Sequence, residues 1–520
     1  MKRKIQVMLF TAVFLSIFNT LWPQDNSIKG NSKPIEIELA NEAAILMGGF
    51  RITLSDAIKK AIDNNQDILT GKYDAAMTDT SYQKFLSKYS TYFNASAGVT
   101  STDNPPLLRE EYPKNKKTVD ISASLAKSFS TGTTITAGVT NTAATNEWDS
   151  STFTGQSKTY NPVLYVSLEQ ELLKNAFGYS DRKQEKILQN TSQMQKDEII
   201  YGLSLVVVGV IVDYWNVIIY KTQLDNSILM LQETRKVRRI IADNVKLGLA
   251  EQFELNYWNS LIASSEASVT QSEQLYRDAL RKFLQTVNMP EEITMQEKAI
   301  FQNKLPQINS EEALKTAYLK RADYLNTVKN YENAKLQLDI DENSALPSLT
   351  GSVKISSTDY NNEGMDEAYS NTASGKYPSY SAQIKMSYPL DNTDQKVSAR
   401  NSRWKVKQAK HQMEKYTRIV KDDIASKIEK INTNYNLYRK AKEARTQAEI
   451  YYKKMLINLR RGRFTAAVVR NSLDALVSSR EQELQLLVAF NASLLEFEVA
   501  KNELFETYKI DVEKYIPKEK

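Results

Sequence analysis

Two stretches of the chain carry apolar residues in steps of four and three with almost no interruption. One runs from Arg182 to Gly248 through Val206, Val210, Asp213, Val217, Tyr220 and Leu224, and the other from Gln395 to Gly462 through Ile424, Ile428, Ile431, Tyr435 and Tyr438. This heptad spacing predicts helices that pack lengthwise as coiled coils. Neither stretch contains Pro, and with 16 Gly and 12 Pro in 520 residues the whole chain is sparsely punctuated. A helix of this length runs to about 100 Å at about 1.5 Å per residue, too long to bury inside a globule.

The two stretches belong to an internal duplication. Leu54 to Ala61 resembles Ser310 to Ala317, with Ala57 and Ala313 separated by 256 positions. Phe93, Ala95, Ala97 and Val99 alternate as Leu349, Gly351, Val353 and Ile355 do, at the same offset. The offset then falls to 218, aligning Leu172 with Leu390, and to 214, aligning Gly248 with Gly462. Nearly all of the length difference therefore lies between the strand signals. After Gly248 a helical pattern runs to about Val287, breaks at Pro290 and Pro306, and resumes from Ser310 to about Asn343. The second repeat supplies only the lower piece of this return path, to about Tyr508. The segment from Thr53 to Tyr89 supplies the missing upper piece, and the breaks fall midway along the axis.

At the other end of the helices the period changes to two. Val119, Ile121, Ala123 and Leu125 alternate with Asp120, Ser122 and Ser124, and Tyr380, Ala382, Ile384, Met386 and Tyr388 alternate with Ser381, Gln383, Lys385 and Ser387. Apolar outside and hydroxyl-rich inside is the pattern of a membrane barrel around water. Any single strand also fits a half-buried sheet of a soluble protein. Four strands cannot close a water-filled barrel, so a barrel has to be shared among several chains. Thr118 to Phe129 and Thr133 to Thr140 flank Ser130-Thr131-Gly132 as a further hairpin. It either extends above the membrane, which is the expected place, or joins the barrel and raises the strand count.

Composition narrows the chemistry. Hydrophobic residues make up 41% and charged residues 25%, too polar for a bundle of membrane-spanning helices. The apolar run Leu203 to Ile219 carries Asp213 and reads as helix core. A net charge of +6 without a basic, aromatic-interleaved stripe gives no reason to expect a nucleic-acid partner. The absence of Cys and the single His411 remove most metal, haem and thiol chemistry, and His411 lies in a charged run expected on a helix surface. With no nucleophile–base word or phosphate loop, no catalytic, cofactor-binding or metal-ligating residue is expected. Lys2, Arg3 and Lys4 ahead of the apolar run Ile5 to Phe18 read as a secretory leader cleaved near Gln24, and without Cys no lipid anchor is expected on it.

Taken together, the leader, the duplicated strands and the two long helical hairpins resemble the TolC-like outer-membrane efflux protein family (outer membrane factors) over nearly all of residues 50 to 510. Leu54 to Ala61 followed by Asn64-Asn65-Gln66-Asp67-Ile68 is similar to the family's opening helix. Arg321-Ala322-Asp323-Tyr324 is similar to its R-P-D-L word, and Val163 to Leu173 to its strand-to-helix passage. Lys246-Leu247-Gly248-Leu249-Ala250 with Glu254 resembles the first helical turn. Asn471-Ser472-Leu473-Asp474-Ala475 resembles D-V-L-D-A, although Asn471 replaces Asp and Asp474 lies 12 residues after Gly462, where the family pattern has nine.

The resemblance implies an α+β membrane protein in which short strands form part of a trimeric outer-membrane β-barrel, continued by very long antiparallel coiled-coil helices as a periplasmic tunnel. It implies a homotrimer with a 12-stranded barrel, contact with outer-membrane lipid, and docking to a periplasmic adaptor (membrane fusion) protein and an inner-membrane transporter of the RND, ABC or a similar class. The implied role is that of a passive exit duct of a tripartite efflux pump or type I secretion system. A periplasmic coiled-coil scaffold without channel activity is the alternative.

The expected organisation is a leader over 1–24, an extension over 25–50, a first repeat over 51–290 with strands within 92–170, an equatorial linker over 291–309, a second repeat over 310–510 with strands within 347–390, and a tail over 511–520. Candidate docking residues are Leu247, Gly248, Leu249, Ala250 and Glu254 at one tip and Gly462, Arg463, Phe464, Asn471 and Asp474 at the other. Candidate gate charges are Asp243, Glu251 and Glu254 opposite Arg460, Arg461, Arg463 and Arg470.

Overall fold

The computed structural model describes residues 52–105, 108, 112–148, 156–289, 301–362, 364–461 and 463–517. The expectations for the leader, the 25–50 extension, Pro290, Gly462 and most of the equatorial linker lie outside the described residues.

Three helices, α1 (Leu54–Asn64), α2 (Gln66–Ala76) and α3 (Thr80–Leu86), lead into four consecutive strands, β1 (Thr91–Asp103), β2 (Asn115–Ser128), β3 (Thr133–Glu147) and β4 (Lys158–Glu171). A long hairpin follows, α4 (Tyr179–Lys246) and α5 (Gln252–Val287). The second repeat begins with α6 (Ser310–Lys320) and α7 (Ala322–Ser344). It continues through β5 (Ser348–Thr358), α8 (Met365–Ala373) and β6 (Pro378–Ser387) into α9 (Thr393–Arg460), α10 (Ala466–Lys501) and the short α11 (Leu504–Thr507).

The helices repeat residue for residue. Helices α4 and α9 each have 68 residues and start 214 positions apart, at Tyr179 and Thr393. Helices α5 and α10 each have 36 residues at the same offset, from Gln252 and Ala466. Helices α1 and α6 each have 11 residues, 256 positions apart at Leu54 and Ser310. Their starts are specified locally. The Thr53 hydroxyl accepts from the Asp56 N–H and donates to its carboxylate, and Asn309 accepts from the N–H groups of Glu311 and Glu312. These side chains satisfy donors that have no partner within the helix.

The mid-axis breaks are built the same way in both repeats. Helix α5 ends at Asn288 and α10 at Asn502, both left-handed, with φ 54° and 59°. The Asn288 side-chain amide donates to the Asn64 carbonyl at 3.2 Å, and that of Asn502 donates to the Lys320 carbonyl at 2.8 Å. Each returning lower helix is thereby clipped to the end of an 11-residue upper helix. The break at Arg321 needs no Pro: Arg321 itself is extended, and its side chain bonds Asp323 and Asp423.

Packing follows the predicted seams. Ala313 and Ala317 of α6, Val420, Ile424 and Ile431 of α9, and Phe490, Phe497 and Ala500 of α10 form one buried cluster. In the first repeat Asp213, buried among apolar neighbours, accepts from Lys282 at 2.8 Å and Thr286 at 2.9 Å on α5. A buried carboxylate needs such partners to remain charged. The long helix that carries the Leu203 to Ile219 run is, by length and composition alone, apolar enough to cross a membrane. Nevertheless, Leu203, Val207, Val210, Ile211 and Val217 are buried in the helical body, as helix core.

The strands form a single antiparallel sheet in the order β1-β2-β3-β4-β5-β6. This corrects the expectation for residues 118–140. The hairpin is not an extension outside the sheet. Strands β2 and β3 lie between β1 and β4 and pair with them along their whole length.

Candidate functional site: the strand wall and the helical tips

Antiparallel register places partnered residues on one face, so the strand register decides what each face of the sheet offers. Phe93, Leu125, Ala137, Val166, Ile355 and Tyr380 form one row across all six strands. One residue further along lies Asn94, Ser124, Gly138, Tyr165, Ser356 and Ser379. The first row is apolar and the second mostly small or hydroxyl-bearing. Cross-strand bonds within the polar face reinforce the register: Ser96 to Ser122 at 2.8 Å, and the Thr142 hydroxyl to the Asp120 carboxylate at 2.6 Å.

The two outer strands, β1 and β6, are exposed along their whole length, and each has one edge that pairs with no strand among the described residues. Both carry large exposed apolar side chains, including Phe93, Val99, Tyr380 and Ile384. Long, open edges of this kind are templates for pairing with another strand.

At the opposite end, α4 closes with Gly248 at φ +71°. The Gly248 N–H donates to the Val245 carbonyl at 3.0 Å and the Leu249 N–H to the Asn244 carbonyl at 2.8 Å. This pair of bonds is the Schellman termination, which needs a left-handed residue at the glycine. At the second tip the Arg463 N–H donates to the Asn458 carbonyl at 3.1 Å. Asn458 stands 214 positions after Asn244, so the same bond recurs.

Within one chain the two tips pack against each other. Val237 and Ile241 of α4, Trp258 of α5, Tyr452, Leu456 and Leu459 of α9, and Ala466, Val469, Leu473 and Leu476 of α10 form one buried cluster, with Ala250 packed against it. Leu247, Leu249, Phe253 and Phe464 point away from it, with exposures of 71, 64, 68 and 44%. Gly248, Arg463 and Asn471 are also exposed, and Glu254 and Asp474 half-buried.

Two of the candidate gate charges find partners on their own helices. Asp243 pairs with Lys246 at 3.7 Å, and Arg470 binds Asp474 at 2.8 Å. Among the described residues no ion pair within the chain joins Arg460, Arg461 or Arg463 to Asp243, Glu251 or Glu254.

Three residues at the tips carry no signal in the heptad reading. Tyr452 of α9 donates to the Glu233 carboxylate of α4. Burial first, and then the Glu233 carboxylate, push the Tyr452 hydroxyl above the ordinary tyrosine value. Phe253 and Tyr257, one turn apart, extend the exposed apolar patch onto α5. Their i, i+4 spacing beyond Leu249 was the available sign.

No family model and no curated protein matches the chain. Solved structures do match. The fold is similar to that of CusC, studied for its folding and transmembrane channel formation, with a TM-score of 0.61 and 12% identity over 87% of this chain and 92% of that one. VceC, an outer membrane protein of Vibrio cholerae, is similar at TM-score 0.60 and 13% identity, over 86% of this chain and 95% of that one. The CmeC outer membrane channel of Campylobacter jejuni is similar at TM-score 0.60 and 11% identity, over 95% of this chain and 97% of that one. The fold expected from the resemblance to the TolC-like family is the fold found: a strand sheet continued by paired helical hairpins, as in the solved outer-membrane channels.

Proposed function

We propose that this protein is an outer-membrane channel, in which three copies close their sheets into one barrel and their helices into a periplasmic tunnel that conducts solutes passively. The sheet carries this reading. One face is apolar and the other hydroxyl-rich, across all strands and in register, and both edges are open. Strand β1 and strand β6 run antiparallel, so β1 of one copy can pair with β6 of the next and leave no edge.

The tips are the proposed docking surface for a periplasmic adaptor that hands over cargo from an inner-membrane transporter, in an efflux pump or a type I secretion system. Leu247, Leu249, Phe253 and Phe464 supply exposed apolar contacts there, the kind of patch that marks a protein interface. Cysteines at Leu249 and Phe464 should crosslink to the adaptor in cells, and cysteines in the middle of α4 should not.

Purified protein in detergent should have the mass of three chains and give ion conductance in a planar bilayer. A protein that forms no channel at any voltage, and remains in the periplasmic fraction of cells, would instead be a coiled-coil scaffold.

A further inference from the structure

The number of strands per chain has a consequence for the width of the exit. We infer that three chains close an eighteen-stranded barrel, and that the β2–β3 hairpin is a wall segment that widens the pore to the girth of the helical tunnel. The inference rests on the channel reading above.

Three observations place the hairpin in the wall. Strands β2 and β3, of 14 and 15 residues, pair along their length with β1 and β4. A membrane-crossing strand needs about 9–11 residues, so both can cross. Their apolar residues, Ile121, Leu125, Ala137 and Val139, lie on the same face as Phe93 and Val166 of the flanking strands.

The position of the turn is the third observation. The Gly132 carbonyl accepts from the Glu171 N–H at 3.2 Å, and the Gln170 side chain donates to the Thr131 carbonyl at 3.0 Å. Gly178, at the start of α4, has φ +73°, and a Cβ there would overlap the Ser130 carbonyl oxygen. The turn therefore sits against the junction of β4 with α4, at the helical end of the sheet. A hairpin standing above the membrane would turn at the opposite end.

Width follows from strand count. At about 4.8 Å between strands and a tilt of about 40°, each strand takes about 6.3 Å of circumference, so eighteen strands give a backbone diameter of about 36 Å and twelve give about 24 Å. At the level of the two long hairpins four helices per chain are described, α4, α5, α9 and α10; a trimer then presents twelve, and at about 8–10 Å between axes they give a ring about 31–38 Å across. Six strands per chain thus match the barrel to its own tunnel. The polar face offers Lys116, Lys354 and Lys385 against Asp120, Glu169 and Glu171 among hydroxyls. Such a wall is balanced in charge and suits bulky cargo of either sign.

The chain has no Cys, so single-cysteine spin labels can be placed freely. Labels at Ile121 and Val139 in reconstituted trimers should be relaxed by lipid-dissolved oxygen as strongly as labels at Val353 and Ile355. Dipolar spacing between the three Val353 labels of a trimer should reflect a backbone triangle with sides of about 31 Å, against about 21 Å for a twelve-stranded barrel. If Val353 and Ile355 face lipid while Ile121 and Val139 face water and the spacing is the shorter one, the hairpin lies outside the barrel; the inference fails and the channel reading stands. If none of the four positions meets lipid, both fail.

Discussion

The hydroxyl of Tyr452 on α9 donates to the Glu233 carboxylate on α4 at 2.5 Å, joining the two hairpins just above their tips. The partners lie 219 positions apart, one in each repeat. Glu233 also receives Lys236 at 3.0 Å, so its charge is shared between its own helix and the opposite hairpin. The Tyr452 ring is buried in the tip cluster, where a hydrogen bond to a charged group contributes about 1.5–3 kcal/mol.

Tyr452→Phe keeps the ring in the cluster and removes only the bond, while Lys236 still accompanies Glu233. The hairpins should separate more readily. Amide exchange in the last turns of α4 and α9 should quicken, strand amides should not change, and the open fraction in planar bilayers should rise. An exchange pattern identical to the parent would mean that apolar packing alone holds the tips.

The same bond sets a pH dependence at the alkaline end. A tyrosine whose folded value is raised contributes stability that is intact below its unfolded value of 10.0 and is lost as pH rises beyond it. Tip stability, read by exchange or by a fluorophore at Leu249, should therefore fall above pH 10 in the parent. In Tyr452→Phe that decline should be smaller. Equal alkaline loss in both proteins would assign it to other groups.

Among the described tip residues, Gly248 is the one whose backbone dictates its identity. At φ +71° a Cβ would meet nothing within 4 Å, so the cost of Gly248→Ala is backbone strain alone, about 1–2 kcal/mol. Gly248→Asn should cost less, because Asn tolerates the left-handed region. Thermal unfolding should rank the proteins Gly, Asn, Ala. If Ala equals Gly, the Schellman turn does not limit stability.

Much of this architecture is legible in the chain. The offsets of 256 and 214 read from Ala57 and Gly248 are those of the helix boundaries, because a long helix without Pro tolerates neither insertion nor deletion in its seam. The hairpin's place was not legible. Val119, Ile121, Ala123 and Leu125 alternate in the same way whether they line a membrane wall or a separate extension. Only the pairing of Ile121 with Ala97 on one side and Asn141 on the other decides between them. At the tips, Gly248 announces its turn, whereas Tyr452 looks like any heptad aromatic until α4 brings Glu233 to it. Local signals are written in neighbouring residues; contacts between repeats are not.

The mid-axis clips separate conformation from bonding. Asn502→Gly keeps the left-handed backbone and deletes the bond to the Lys320 carbonyl; Asn502→Ala loses both. Stability should fall in the order Asn, Gly, Ala, with Gly down by about 0.5–1.5 kcal/mol for the bond. The same order should hold at Asn288, 214 positions earlier, where the bond goes to Asn64. A Gly variant below Ala would show that chain entropy outweighs the left-handed strain.

The tip arginines test whether charge holds the tip end of the proposed channel shut. Arg460, Arg461 and Arg463 are exposed, and within one chain they form no ion pair with Asp243, Glu251 or Glu254 among the described residues. Asp243 and Asp474 are already engaged on their own helices, by Lys246 and Arg470. In the proposed trimer a closing contact made by these arginines would cross to a neighbouring chain, with Glu251 and Glu254 as the proposed partners. In a threefold ring each such contact repeats three times, so several weak exposed pairs act together. Replacing Arg460, Arg461 and Arg463 by Ser should raise single-channel conductance and make cells more permeable to large antibiotics. Raising the salt concentration should move the parent toward the variant, because exposed pairs are screened within a Debye length of about 10 Å at 0.1 M. A triple variant that conducts like the parent at every salt concentration would leave the apolar tip cluster, rather than charge, as what holds the end closed.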